Sequence, residues 1–357
     1  MRLALIALAG CSTYTSPCSL GTDEPVFTPH GVITNLRRAG SGVVVTSQNF
    51  TASPAGAQRT VTVTSLDATG AMLSAQTFDA GSAELEPSTL DVESTGSGLA
   101  IARALAMPSP DFSSVTRSLE FEILGSVPPR TLPFADCTAC PQRTPTLRFL
   151  HGKLVLLYTG ESTTDGLFAI VGLDGTVEAS GRLVGLTPHA PARFKTDVNP
   201  DALVLEAPSG LTIVDESLSA IAQLSLPSTG EIDFDVGRSV AQLAWIEAES
   251  ALASSLLTEQ VSFQGDVLQP VTRITEAIVV TSTAATDARV VFSLVDDDRY
   301  LAAAAPSGDK LGGDLAAPGD TGPGEVFVAS PGDPGADFAY FTNAGATVNR
   351  RTVGCVP

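Results

Sequence analysis

Residues 39–45 read AGSGVVV, and residues 95–101 read TGSGLAI. In both stretches a Gly-Ser-Gly turn leads directly into three apolar residues, which is the pattern of a tight turn followed by a short, fully buried strand. Similar apolar runs recur at residues 43–45, 99–101, 154–157, 203–205, 240–246, 290–292 and 338–341. Their average spacing of about 49 residues is typical of repeat architectures. The sequence therefore predicts seven repeated β units.

Most of these runs are followed by an alternating strand, a tight turn and a second strand. The turns contain Gly next to Asp or Thr, as in residues 60–70 (TVTVTSLDATG), 168–175 (FAIVGLDG), 261–266 (VSFQGD) and 301–309 (LAAAAPSGD). Such dipeptides supply the positive φ that tight hairpins need. Four antiparallel strands per unit of this length resemble the blade of a β-propeller. The resemblance implies an all-β fold, a single β-propeller of seven four-stranded blades, although the Gly-His and Trp-Asp signatures of the best-known propeller family are missing.

The two ends of the chain are expected to share one blade. The seventh unit, from about residue 325, supplies three strands at 326–329, 338–342 and 347–353. Residues 25–32 precede the first complete unit and are predicted to supply the missing fourth strand. The predicted propeller domain is therefore 25–357, closed by N- and C-terminal strands that latch the first and last blades together.

The N-terminus carries a separate signal. A positive start at residues 1–2 and a short apolar run at residues 3–8 lead into Leu8-Ala9-Gly10-Cys11, the arrangement of a cleaved export signal. These four residues resemble the lipobox of bacterial lipoproteins. The resemblance implies that residues 1–10 are removed, that the Cys11 thiol carries a lipid anchor, and that residues 11–24 are a tether. Ser12 resembles the default sorting signal toward the outer membrane, with the domain facing the periplasm or the cell surface.

The five cysteines agree with export. If Cys11 carries lipid, the remaining four allow three disulfide pairings in an oxidising compartment. We favour Cys18 with Cys355, because ring closure brings the chain ends together, and Cys137 with Cys140, because they are neighbours. Zinc binding or redox chemistry at Cys137 and Cys140 is less favoured, because the pair lies between prolines in a connection and has no second close pair beside it.

Composition limits the possible partners. Hydrophobic residues make up 43% of the chain and charged ones 17%, with a formal net charge of −19 and no cluster of Lys or Arg. A large core is possible, whereas nucleic acid and anionic membrane surfaces would repel this chain. We expect a monomer that touches the membrane through its lipid anchor only.

Motifs for catalysis are missing. The sequence contains no nucleophile elbow, P-loop, zincin helix or EF-hand loop. His30, His151 and His189 are far apart in sequence. No cofactor is predicted. Calcium binding by the acidic loops is a weaker alternative, because the aspartates, which show no fixed ligand spacing, are more typical of solvated turns; they are Asp296, Asp297, Asp298, Asp309, Asp314, Asp320, Asp333 and Asp337.

Three functional hypotheses follow. The first is a binding or scaffold lipoprotein that presents one propeller face to a protein, peptide or glycan. An alternative is a propeller-type hydrolase or lyase with carboxylates at the central channel, for which Asp197, Asp201, Asp233 and Asp235 are the candidates. Another alternative is a structural component of the cell envelope. Aromatic residues are only 6% of the chain, which disfavours a stacked-aromatic platform for sugars.

Overall fold

The structure is a computed structural model. It describes residues 18–355, apart from short connecting segments at 40–41, 55, 83–88, 96–97, 109–114, 132–144, 160–165, 184–195, 200–201, 208–209, 215–216, 219, 226–231, 237–239, 251–252, 287–288, 296–297, 306, 317–323, 330–336 and 345. Within these ranges the regular secondary structure consists entirely of β-strands. No helix in the same ranges has the length and apolar character needed to cross a membrane.

The strands form seven antiparallel sheets, each a blade of the propeller. Two short strands come first, β1 (Cys18–Leu20) and β2 (Glu24–Phe27). Blade 1 contains β3 (Val32–Ala39), β4 (Gly42–Ser53), β5 (Gly56–Leu66) and β6 (Met72–Ser82). Blade 2 contains β7 (Thr89–Ser94), β8 (Leu99–Pro108), β9 (Val115–Ile123) and β10 (Val127–Thr131). Blade 3 contains β11 (Thr146–Leu150), β12 (Lys153–Thr159), β13 (Gly166–Val171) and β14 (Val177–Leu183).

The remaining blades repeat this order. Blade 4 contains β15 (Thr196–Asn199), β16 (Ala202–Ala207), β17 (Gly210–Val214) and β18 (Ala220–Ser225). Blade 5 contains β19 (Ile232–Val236), β20 (Val240–Ser250), β21 (Ala253–Ser262) and β22 (Val267–Glu276). Blade 6 contains β23 (Val279–Ala285), β24 (Val290–Val295), β25 (Arg299–Ala304) and β26 (Leu315–Ala316). Blade 7 contains β27 (Glu325–Ala329), β28 (Phe338–Ala344) and β29 (Thr347–Cys355), completed by β1 and β2. The prediction of a seven-bladed all-β propeller is confirmed.

The antiparallel order gives the ring two different faces. The first strand of each blade is the inner strand beside the central channel, and the first and third strands of a blade run in the same direction. The turns between first and second strands and between third and fourth strands therefore lie on one face, which we call the hairpin face. Connections between second and third strands, and from one blade to the next, lie on the opposite face, which we call the loop face.

Ring closure takes place in blade 7. Both β1 and β2 pair antiparallel with β29, with Cys18 opposite Cys355 and Glu24 opposite Arg350. A disulfide joins Cys18 to Cys355 across this pair, as the favoured pairing expected. A cross-link over this much chain restricts the unfolded state by about 4–6 kcal/mol in the chain-entropy model.

The closing segment begins earlier than residue 25. Residues 18–20 form β1, so the part of the predicted tether from Cys18 onward belongs to the blade instead. The three-residue strand is too short to be recognised from its own pattern, and its place is fixed by the disulfide and by pairing with the C-terminal strand. The segment that separates Cys11 from the folded domain is correspondingly shorter than predicted.

Apolar clusters between neighbouring blades form the core. The described residues show such clusters between blades 1 and 2, 2 and 3, 4 and 5, 5 and 6, 6 and 7, and 7 and 1. The last of these closes the ring, with Ile33 and Val45 of blade 1 packed against Val328 and Phe341 of blade 7. Burial of both faces of the central strands explains their continuous apolar runs, because alternation is needed only where one face meets water.

Three turn glycines allow close contact between neighbouring blades. Gly70, Gly175 and Gly308 lie in the turn between the third and fourth strands of blades 1, 3 and 6, all with φ between 80° and 88°. A Cβ on Gly70 would come within 2.6 Å of a methyl group of Val26, and one on Gly175 within 2.5 Å of a methyl group of Val127. In each case the obstructing residue belongs to the outer edge of the preceding blade. The same turns that the sequence identified as hairpins therefore also serve as contacts between blades.

We predict that Gly175→Ala destabilises the protein more than Gly265→Ala does. Both residues have positive φ, of 80° and 86°, so both substitutions cost about 1–2 kcal/mol in backbone strain. At Gly175 the new methyl group also collides with Val127, whereas nothing lies within 4 Å at Gly265. The collision adds about 1–3 kcal/mol. Denaturant unfolding of both variants measures the difference, and equal losses would contradict this role for Gly175.

Candidate binding surface

A network of buried charges links the inner strands around the channel. Arg38 in blade 1 donates to Asp235 in blade 5, on the far side of the ring, with a nitrogen–oxygen distance of 2.5 Å. Asp235 is only 5% exposed and accepts a second bond, from the backbone N–H of Ala285 in blade 6, at 2.6 Å. The ion pair therefore crosses the channel, and the second hydrogen bond of Asp235 joins blade 5 to blade 6.

A second part of this network joins blades 1, 2 and 3. Asp91 of blade 2 accepts from the backbone N–H of Leu147 at 2.9 Å and from Arg148 at 3.1 Å, both in blade 3. Arg37 of blade 1 forms an ion pair with Glu93 of blade 2 at 3.0 Å. Asp91 and Asp235 thus play the same part, since each is an inner-strand carboxylate that binds the backbone of the next inner strand.

The charges of the network are balanced. Burial lowers the pKa of the Arg37 guanidinium, but the negative charges of Glu93 and Asp91 and the hydrogen bond to Glu93 outweigh this effect and leave the pKa raised. The described part of the network contains three arginines and three carboxylates, so its charges cancel. Paired charges with additional backbone hydrogen bonds are the arrangement in which a buried ion is tolerated.

This network bears on the enzyme hypothesis. Asp235, one of the four carboxylates proposed for channel chemistry, is held by Arg38 and Ala285. Asp233 lies two residues before it on the same strand and is half-buried, with an interaction partner of its own. The side chain of Asp197 and all of Asp201 lie outside the described residues. Asp235 therefore holds inner strands together.

We predict that Asp235→Asn lowers the free energy of unfolding by about 2–4 kcal/mol, because it removes the negative charge that pairs with Arg38 in a mostly buried position. Glu249→Gln is the control. It removes the 2.9 Å ion pair with Arg273, in which both side chains are about half exposed, and should cost less than about 1 kcal/mol. Thermal and denaturant unfolding compare the two variants. Similar small losses would show that the ion pair across the channel contributes little.

The most distinctive exposed surface lies on the loop face where blade 5 meets blade 6. Residues Ala277 and Ile278 connect β22 to β23, and their backbone is fixed by hydrogen bonds from Ala277 N–H to Ser254 at 3.1 Å and from Ile278 N–H to Val295 at 3.0 Å. Ile278 is nevertheless 57% exposed, and Val279 beside it is also exposed. We call this region, residues 276–279 with the adjoining residues 247–249, 254–255 and 273, the blade 5–6 rim.

Acidic side chains lie at the strand ends next to these two apolar residues. Glu247, Glu249 and Glu276 are exposed, and Arg273 is the described cation among them. Arg273 is held in place by Glu249, by Glu276 at 3.4 Å and by the hydroxyl of Ser255 at 2.7 Å. The rim thus presents an apolar centre with a net negative border on a rigid backbone.

The two described histidines lie on opposite faces of the propeller. His30 precedes the inner strand of blade 1 on the loop face, whereas His151 lies in a turn on the hairpin face, and both are exposed. His189 lies outside the described residues. Within the described ranges no three His, Cys, Asp or Glu side chains come close enough to share a metal ion.

The acidic loops considered for calcium are partly described. Asp309 pairs with Ser307, Asp314 pairs with Lys310, and Asp337 accepts from the backbone N–H of Cys355. Asp298 is exposed. The others, Asp296, Asp297, Asp320 and Asp333, lie outside the described residues, as do Cys11, Cys137 and Cys140.

The sequence prediction missed both the channel arginines and the blade 5–6 rim. A signal for the first was present, because Arg37 and Arg38 stand immediately before the Gly-Ser-Gly turn, and Glu93 stands just before its copy. Charged residues at the ends of inner strands could have indicated a polar channel. Ile278 and Val279 read as the beginning of another buried strand, and only their position at the strand end exposes them.

Similarity to known proteins is limited to structural matches of low identity. No family model matches the chain, and no curated protein matches it. Among solved structures, the WD40 domain of Pan2 from Neurospora crassa is 9% identical with a TM-score of 0.48, covering 95% of this chain and 96% of that one. The polysaccharide lyase Uly1 is 12% identical with a TM-score of 0.47, covering 92% and 90%. The β-propeller domain of the trilobed protease from Pyrococcus furiosus is 10% identical with a TM-score of 0.45, covering 93% and 97%. At this level the likeness concerns the propeller fold and carries no functional information.

Proposed function

We propose that this chain is an outer-membrane lipoprotein, anchored through Cys11, whose propeller binds a protein or peptide through the blade 5–6 rim. The observation that carries the binding proposal is the exposure of Ile278 and Val279 on a backbone fixed by hydrogen bonds. Exposed apolar residues with a polar border are typical of protein interaction sites. A preformed surface also limits the ordering cost of binding.

The border of the rim indicates the chemistry of the partner. Glu247, Glu249 and Glu276 outnumber the described cation Arg273, and the whole chain carries a net charge of −19. A segment with apolar side chains flanked by Lys or Arg would complement this surface. A glycan is less well supported, because Ile278 and Val279 at the centre of the rim are aliphatic and offer no ring on which a sugar can stack.

The alternatives receive less support. A propeller-type hydrolase or lyase requires carboxylates available to a substrate in the channel, whereas Asp235 is engaged in the ion pair that crosses it. A purely structural envelope component has no need for a fixed, exposed apolar rim. Binding through the rim accounts for the features of the described residues with the fewest additional requirements.

The anchor is tested by the intact mass of the membrane-extracted protein, measured with and without reduction and alkylation. We expect a chain that begins at Cys11 and carries acyl groups, with four thiols released only on reduction. Two of these belong to the disulfide between Cys18 and Cys355, and the other two test the expected pairing of Cys137 with Cys140. An unacylated chain that retains Met1 would refute the anchor.

Binding through the rim is tested by photo-crosslinking. A photoreactive amino acid at position 279 of the anchored protein should capture a partner from the cell envelope, and the affinity of the purified partner is then measured. We expect Ile278→Ser to weaken binding about tenfold through lost apolar contact, and added salt to weaken it further.

The control for this experiment is Val267→Ser. Val267 is 56% exposed, nearly the same as Ile278, but it lies at the start of β22 on the hairpin face of the same blade. Its substitution should leave the affinity for the partner unchanged. Equal effects of the two substitutions, or no effect of Ile278→Ser, would refute binding through the rim.

A further inference from the structure

The hairpin face exposes apolar side chains at its outer edge. Met72 and Leu73 begin β6 in blade 1, Leu173 lies in the corresponding turn of blade 3, and Val267 and Leu268 begin β22 in blade 5. All five side chains are exposed, Leu73 the most at 67%. They share one structural position, the turn between third and fourth strands. We call these three turns the apolar tips.

The chain enters the propeller on the same face. Because β29 ends at the hairpin face and β1 pairs with it antiparallel, Cys18 lies at this face, held there by the disulfide to Cys355. The backbone N–H of Cys355 donates to Asp337, which precedes β28 on the hairpin face. This hydrogen bond agrees with the position of the disulfide at that face. Six residues lie between Cys11 and Cys18, so these two cysteines are at most about 25 Å apart when the segment is fully extended.

We propose that the apolar tips rest on the surface of an uncharged lipid bilayer, so that the hairpin face lies against the membrane and the loop face points away from it. The inference rests on the proposed lipid anchor at Cys11. The short connection restricts the distance between the anchor and the hairpin face, and the apolar tips supply contacts at the membrane interface.

The distribution of the tips around the ring favours a flat surface as their partner. They lie on blades 1, 3 and 5 and so are spread around the ring, and the entry point of the chain lies on blade 7, next to blade 1. A plane can touch all of them at once. The exposed apolar residues of the loop face are grouped differently, with Val32 and Phe50 on blade 1 and Ile278 and Val279 at blade 6, which flank blade 7 only.

The charge near the tips indicates the type of lipid. Asp67, Asp174 and Asp266 lie in the three turns. Hydrogen bonds from the Thr69 hydroxyl and from the backbone lower the pKa of the Asp67 carboxyl, and hydrogen bonds from the Thr176 N–H and hydroxyl lower that of Asp174. Both therefore carry negative charge at neutral pH. Arg130, which donates to the Gly175 carbonyl at 3.4 Å, offsets part of this charge in blade 3, but the carboxylates of the three turns outnumber it and would be repelled by anionic lipids. Phosphatidylcholine is accordingly the appropriate test lipid.

The orientation is tested with the acylated protein in phosphatidylcholine vesicles that contain a lipid-borne quencher. A fluorophore is attached to a cysteine introduced by Leu268→Cys on the hairpin face or by Val279→Cys on the loop face, with the labelled parent protein as blank. We expect quenching at position 268 and little at position 279. Quenching at position 279 alone, or at neither position, would overturn the proposal.

A second measurement separates this inference from the anchor. If the mass shows no acyl group, the unacylated chain is sedimented with phosphatidylcholine vesicles at high lipid concentration. Loss of co-sedimentation in the combined variant Leu73→Ser, Leu268→Ser, but not in Ile278→Ser, would support the membrane contact although the anchor had failed. Absence of co-sedimentation in the parent chain would overturn it. Dissociation of a dimer by the same tip substitutions without lipid would assign the tips to a second copy of the chain and also overturn it.

Discussion

The pairing of β29 with the N-terminal strands is the contact on which the ring depends. The other six blades are formed by consecutive strands, whereas blade 7 joins residues from opposite ends of the chain. Cys18 and Cys355 lie directly opposite each other in this pair and are covalently joined. Because closure buries apolar residues of blade 7 against blade 1, loss of this pairing would expose a blade edge on each side. The disulfide therefore reinforces the strand pair that closes the ring.

Inside the ring, polar contacts complement the apolar packing between blades. Asp91 and Asp235 each bind the backbone of the following inner strand, and Asp235 also reaches Arg38 across the channel. Such contacts are directional and fix the relative position of inner strands in a way that apolar contact alone does not. They also occupy the part of the channel where a substrate would need free carboxylates. The features available for recognition are consequently those on the two faces.

The two faces differ in ways that suit different surroundings. The hairpin face carries tight turns, the entry point of the chain and apolar tips on alternate blades, whereas the loop face carries the longer connections and the blade 5–6 rim. Propeller topology produces this difference, because links between blades all emerge on one side. An anchor near Cys18 and a recognition surface around Ile278 would therefore act on opposite sides of the same rigid ring, without interfering with each other.

The sequence by itself determined the repeated unit, the number of blades and the turns, because Gly at positive φ and continuous apolar runs such as Val43 to Val45 are local requirements. It also indicated the disulfide of Cys18, though not that residues 18–20 form a strand. Only the tertiary structure decided that Arg38 meets Asp235 and that Ile278 is exposed. The ion pair depends on two residues that are far apart in the chain. The exposure of Ile278 depends on which end of a strand reaches the surface, and the apolar pattern of the sequence is the same for a buried strand and for its exposed first residues.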